Sequence, residues 1–253
     1  MKRIGRWIWI VLIGYVLCTL LLHKRGNDFA GSFVIAYGPR RYREGIQVLT
    51  ILATSVVLPF LIRNLWRERD RVKYLLALLP VALIIDRTMI SVPFERIHYL
   101  QYGFLTWLCY LAIGQPFAAA LMAFLIGYVD EAHQFWVLYA GDPIQYFDWN
   151  DISLNLLGAL GALYFFLPLT PIRKPSIIPL LTTIAAWVFA VLLLIALYKP
   201  DRYLFRDDPY KGKQSFWIAE TDRSYHVMNA AQGMIFLGTI WIIALHSTVD
   251  APE

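Results

Sequence analysis

The strongest constraint on this chain is the length of its apolar runs. Stretches such as "WIWIVLIGYVLCTLLL" and "AAALMAFLIGYV" are close to what a helix needs to cross a bilayer, roughly 20 predominantly apolar residues. Eight such blocks occur, at about 7–22, 46–63, 74–91, 97–113, 116–133, 150–169, 177–198 and 229–246. Each is continuously apolar, without the alternation of a barrel strand, and in lipid only helices or closed barrels satisfy every backbone polar group. The fold class expected is therefore all-α, a polytopic transmembrane bundle of about eight spans forming one integral membrane domain over 1–253.

Composition agrees. Hydrophobic residues make up 58% of the 253 and charged residues 16%, where a soluble domain carries about 25% charged. The net charge of +5 does not point to nucleic acid, because the Lys and Arg residues flank apolar blocks, where they set orientation. The two cysteines, Cys18 and Cys109, lie inside apolar blocks without a CxxC partner, so neither a disulfide nor a thiolate metal framework is expected. The basic, apolar N-terminus lacks a small-residue cleavage site and reads as an uncleaved first span.

Basic residues in the connections give the orientation. Lys2, Arg3 and Arg6, then Arg63, Arg67, Arg69, Arg71 and Lys73, then Arg173 and Lys174 all fall on one side of an eight-span chain with both termini cytoplasmic. Segment 134–149, with Asp142 and Asp148 and no Lys or Arg, is then external, as is the long aromatic and charged loop 199–228. Residues 23–45 would also be external, although Lys24, Arg25, Arg40, Arg41 and Arg43 run against the rule.

This topology brings four ionisable helix ends to one leaflet: Asp86 and Arg87; "FERIHYLQYG"; "DEAHQ"; and "DWNDISLN". Helical spacing puts Glu95, His98 and Tyr102 on one face, Asp130 with His133 and Gln134, and Asp151 with Asn155. Gly158, Gly161 and Ala162 form a small-residue ridge that lets helices approach closely. Charges in hydrocarbon are costly and are tolerated where they face one another or a wet cleft. Arg87, Arg96, His98 and His133 are the basic partners within reach. The expectation is one polar cluster at the outer end of the bundle.

The blocks "ERIHYLQYGFLTWL" (95–108), "DEAHQ" (130–134) and "YFDWNDISLNLLGALG" (146–161) resemble the VanZ-like family of bacterial membrane proteins, over about residues 80–170. The resemblance implies a multi-pass protein of the bacterial plasma membrane with a role in the cell envelope, the family taking its name from resistance to teicoplanin-type glycopeptides. The positions matching its motif are Glu95, His98, Tyr102, Asp130, Glu131, Gln134, Asp151, Asn155 and Gly158. One departure stands out: the family usually carries an arginine shortly before the "YFDW" stretch, and here Gln145 holds that place.

Three function classes follow. The first is recognition of a lipid-linked cell-wall precursor, a peptide headgroup or a glycopeptide at the outer leaflet, with Arg87, Tyr102, His133, Gln134 and Asn155 as binding residues. The second is an integral-membrane enzyme. Glu95, His98, Asp130, Glu131 and Asp151 are its candidate catalytic groups, for acid–base work or for holding a divalent metal through oxygen and imidazole, although no HExxH or GxSxG spacing is present. The third is a transporter, for which midplane charges and a repeat would be expected. No organic cofactor is expected.

Overall fold

The computed structural model describes residues 6–90, 93–140, 147–167, 217–219, 224–226, 228 and 230–249. The fold is helical, as the apolar blocks require. Its helices are α1 (Trp7–Arg67), α2 (Val72–Thr88), α3 (Ile97–Ile113), α4 (Pro116–His133), α5 (Trp149–Phe165) and α6 (Ala230–Val249). Two three-residue strands, Trp217–Ala219 and Ser224–His226, pair antiparallel inside the segment expected to be a plain loop; they are too short to form a layer. The expected seventh span, 177–198, the rest of the external loop to residue 216, and Gln145 lie outside the described residues.

One helix of the described residues, α1, is long and apolar enough to cross a membrane by itself. Its two limbs meet at Gly38, so the connection expected over 23–45 narrows to that break. The rest of that segment stays helical, and the chain breaks only at Gly38, whose φ of 82° and ψ of 158° lie where side-chain-bearing residues are not accommodated. Pro39 follows and starts the second limb, where its missing N–H is tolerated. The scattered polar residues of 23–45 did not end the helix because its inward face has something to pack on. Tyr15 donates to the Gln101 carbonyl (3.1 Å), and Asn27 Nδ2 to the Tyr139 hydroxyl (2.7 Å). Beyond the break, Tyr42 returns to the same end of the bundle, and Asn64 reaches the opposite end, where its Nδ2 donates to the Phe165 carbonyl (2.7 Å).

The core is α3, α4 and α5, each in contact with the other two. α5 is its centre, with nearly every side chain from Ile152 to Phe165 buried. Close approach of α3 and α5 is set by Gly158: a Cβ there would sit 2.7 Å from the Tyr99 carbonyl oxygen and 3.0 Å from that of His98. Gly103 completes the crossing against the Gly158 carbonyl and Ala162. Gly161, expected in the same ridge, has nothing within 4 Å of an added Cβ and takes no part. On α4, Gly127 does a similar job, its missing Cβ leaving room for Tyr102 and Asn155.

α2 to α5 alternate in direction, and α6 runs parallel to α5. α2 starts beside Tyr164, where the Tyr74 and Tyr164 rings stack at 4.2 Å, and ends where the Met89 carbonyl accepts from Asn150 Nδ2 (3.0 Å). α6 begins next to Asn150 and Trp149, and its Trp241 packs on Phe117 at the start of α4. The ends of α2 and α4 and the starts of α3, α5 and α6 therefore share one end of the bundle.

The surface is inverted relative to a water-soluble domain. Leu49, Ile51, Leu52, Val56, Phe60 and Ile62 on α1, Leu76, Leu79 and Leu83 on α2, and Leu100, Phe104 and Trp107 on α3 are exposed. Arg71, His98, Asp130, Glu131 and Asn155 are buried. Extended exposed apolar area of this kind marks a surface that meets lipid or a partner.

Candidate functional site

Three helix ends build the site. Asp148 caps α5, its carboxylate accepting from the backbone N–H of Asn150 (2.9 Å) and Asp151 (3.2 Å); a carboxylate capping orphan donors is a favourable helix start. The cap places Asp151 in the first turn of α5, with Asn155 one turn below it on the same face. On α3, His98 lies in the first turn and reaches both. Its Nδ1 is 2.7 Å from Asn155 Oδ1, and its Nε2 is 3.6 Å from Asp151 Oδ2. The amide oxygen can only accept, so Nδ1 is the donor, and Nε2 faces the carboxylates.

α4 supplies two acids at adjacent positions, which therefore take different surroundings. Asp130, fully buried, accepts the Tyr102 hydroxyl at Oδ2 (2.9 Å), while its Oδ1 has no partner among the described residues. Glu131, 3% exposed, accepts Gln134 Nε2 (3.0 Å). Gln134 thus serves Glu131 and not Asp130, as its spacing from Asp130 had suggested. It opens a π-helical turn, Gln134–Leu138, that ends α4; such turns re-aim side chains and often occur at functional sites.

One ligand atom from each of His98, Glu131 and Asp151 lies within 4.8 Å of the others, so this group is placed to hold a metal ion. Asp151 Oδ1 and Asn155 Nδ2 are buried with no partner among the described residues. The group borders a cavity of about 1000 Å³ whose polar lining also includes Glu95, Gln134 and Asp148. The opposite wall is the first limb of α1, through Tyr15, Thr19, Leu22, Gly26, Ala30 and Val34, positions three or four apart on one helical face. Four carboxyl side chains line the cavity, and no Lys or Arg among the described residues does.

The structure thus brings His98, Glu131, Gln134, Asp151 and Asn155 together, with Tyr102 and Asp130 directly behind and Glu95 on the cavity wall. Two residues from the sequence reading stand apart. Arg87 is exposed and does not line the cavity, being about 100° around α2 from Asp86. His133 is half-buried and off the cavity lining, its Nδ1 without a hydrogen-bond partner among the described residues. Arg96 is held by Asp86 through a two-pronged ion pair, and this hydrogen bonding raises its pKa above the ordinary value. Its charge is therefore committed to Asp86.

Sequence reasoning missed His23. It lines the cavity, and its Nδ1 stands 4.0 Å from Asp130 Oδ2. The signal was present: His23 follows Thr19 and Tyr15 at four-residue steps, continuing the stripe of the first block past the point where apolarity stops. No protein-family model, curated protein or solved structure matches the chain.

Proposed function

We propose that this chain is a multi-pass protein of the bacterial plasma membrane, of VanZ-like type, that receives the polar head of a cell-envelope amphiphile in the cavity between α1 and the α3–α4–α5 core. The observation that carries the reading is the buried His98–Glu131–Asp151 group bordering a cavity large enough for a headgroup, with one wall from a helix apolar enough to meet lipid. Exposed leucines and isoleucines around buried acids support the membrane placement. The motif positions that carry the family resemblance supply this group: His98 from "ERIH", Glu131 and Gln134 from "DEAHQ", Asp151 and Asn155 from "DISLN".

The charge of the lining narrows the head. Four carboxyl groups without a Lys or Arg among the described lining disfavour a bare phosphate. They suit an amine-bearing head, such as the free amino group of a lipid-linked peptide precursor, or an anion bridged by a cation. The test is titration of the full chain in nanodiscs with a lipid-linked cell-wall precursor. Asp130→Asn and Asp151→Asn should each abolish binding while insertion is kept; unchanged binding in both would refute the reading. Reporter fusions after residues 70, 140, 174 and 210 should read inside, outside, inside and outside, which would set the cavity at the outer leaflet.

A second reading is an integral-membrane enzyme. It is favoured by the imidazole beside two carboxyl groups, the parts of an acid–base or metal-assisted site. Turnover of the bound precursor, absent in His98→Gln, distinguishes it from recognition alone.

A further inference from the structure

We infer that His98 Nε2, Glu131 and Asp151 form the seat of one first-row divalent cation, Zn²⁺ or Mn²⁺, with its open positions toward the cavity. The inference deepens the site proposed above but does not need the amphiphile, so its test uses the metal alone.

The geometry is the first support. In a tetrahedral shell with bonds of about 2.1 Å, ligand atoms sit about 3.4 Å apart. His98 Nε2 and Asp151 Oδ2 are 3.6 Å apart, and the Glu131 carboxyl completes a set within 4.8 Å. The His98–Asp151 pair is within a few tenths of an ångström of that spacing, and the Glu131 carboxyl must move in by up to about 1.4 Å, which rotation of its long side chain can supply. The second support lies behind the ligands. Metal-bound imidazoles donate their other ring nitrogen to a fixed acceptor, and metal-bound carboxylates are themselves hydrogen-bonded. Here His98 Nδ1 donates to Asn155 Oδ1 (2.7 Å), Gln134 Nε2 donates to Glu131 (3.0 Å), and the Asp148 cap sets the turn that carries Asp151. Asn155 is fully buried, and its orientation has no other evident use, because its Nδ2 has no partner among the described residues.

The third support is charge. Two carboxyl groups share a largely buried site with one imidazole. Asp151 Oδ1 has no donor among the described residues, and Arg96 is bound to Asp86. Like charges at such range cannot both persist without a cation or a proton between them. A divalent ion cancels both. One nitrogen and two oxygens suit borderline to hard first-row ions and not a soft thiolate-seeking one, and three protein ligands leave positions for water or a ligand head.

The test is dialysis of the purified full chain, in detergent and in nanodiscs, against Zn²⁺ and separately Mn²⁺, with metal content read per chain. One ion per chain is expected. Glu131→Gln and Asp151→Asn should each lose it, whereas Asp86→Asn should keep it. Asn155→Ala and Gln134→Ala should retain one site but weaken it by roughly 10- to 100-fold. Pulsed EPR of the Mn²⁺ form should show coupling to one imidazole nitrogen, lost in His98→Gln. This readout on the unaltered chain stands even where a variant fails to fold. A folded chain without stoichiometric metal, a metal that survives both carboxylate substitutions, or a Mn²⁺ signal without nitrogen coupling overturns the assignment. Headgroup binding by a chain that takes up neither ion in this dialysis would leave the recognition reading standing while the metal seat falls.

Discussion

The two ends of α5 carry buried charge in different ways. At its C-terminal end Arg71, 2% exposed, donates to the Tyr164 carbonyl (2.7 Å), the Leu167 carbonyl (2.9 Å) and Glu68, while Asn64 takes the Phe165 carbonyl. The carbonyls that a helix leaves open at its end are filled, and the cation sits where the helix dipole favours it. At its N-terminal end the acids also suit the dipole, but Asp130 Oδ1, Asp151 Oδ1 and Asn155 Nδ2 are buried and find no partner among the described residues. Folded proteins rarely leave such groups unmade, because each costs about 1–3 kcal/mol. A saturated cluster is a lock; an unsaturated one that borders a cavity is a place for something else to bind.

Substitutions can break that contrast. The largest effect is expected from Arg71→Met. It leaves the carbonyls of Tyr164 and Leu167 without a donor and should cost about 1–3 kcal/mol for each, read as a fall in melting temperature, while metal and headgroup affinity per folded chain stay unchanged. Gly158→Ala comes next. Its Cβ meets backbone of α3 at 2.7 Å and 3.0 Å, so the helices must part, at about 1–3 kcal/mol. Because one of those atoms is the His98 carbonyl oxygen, this variant should weaken ligand binding as well as stability. Gly38→Ala forces a side chain into the left-handed region at φ 82° and should cost about 1 kcal/mol, with loosening confined to the α1 wall of the cavity. The smallest stability change is expected for His23→Ala, which has only a 4.0 Å approach to Asp130 to lose; headgroup affinity should fall while metal stoichiometry stays at one.

How much of this the residues announced follows from the same physics. The blocks at 97–113 and 116–133 are α3 and α4 to the residue, because Pro116 starts one helix and Gly114, at φ 78°, ends the other. Polar groups inside apolar blocks were readable because their cost in an apolar surrounding forces them together. Arg71 was not readable as a cap, since a cation between two apolar blocks looks the same whether it faces cytoplasm or a helix end; its exposed neighbours Arg63, Arg67, Arg69 and Lys73 fit the simpler reading. The long α1 was hidden because ordinary loop chemistry in 23–45 was overridden by packing of one face. The partner choice of Gln134 depended on a π-turn, which no spacing rule for regular helices contains.

The most direct trial of the contrast between the two ends is the melting temperature of Glu131→Gln beside that of Arg71→Met, each paired with a binding measurement in the same nanodiscs. If the N-terminal end of α5 is a ligand site, removing one of its crowded charges leaves the melting temperature of the ligand-free chain unchanged or higher and abolishes binding. A drop as large as that of Arg71→Met, with binding per folded chain intact, would show that the acids serve the fold and contradict the account.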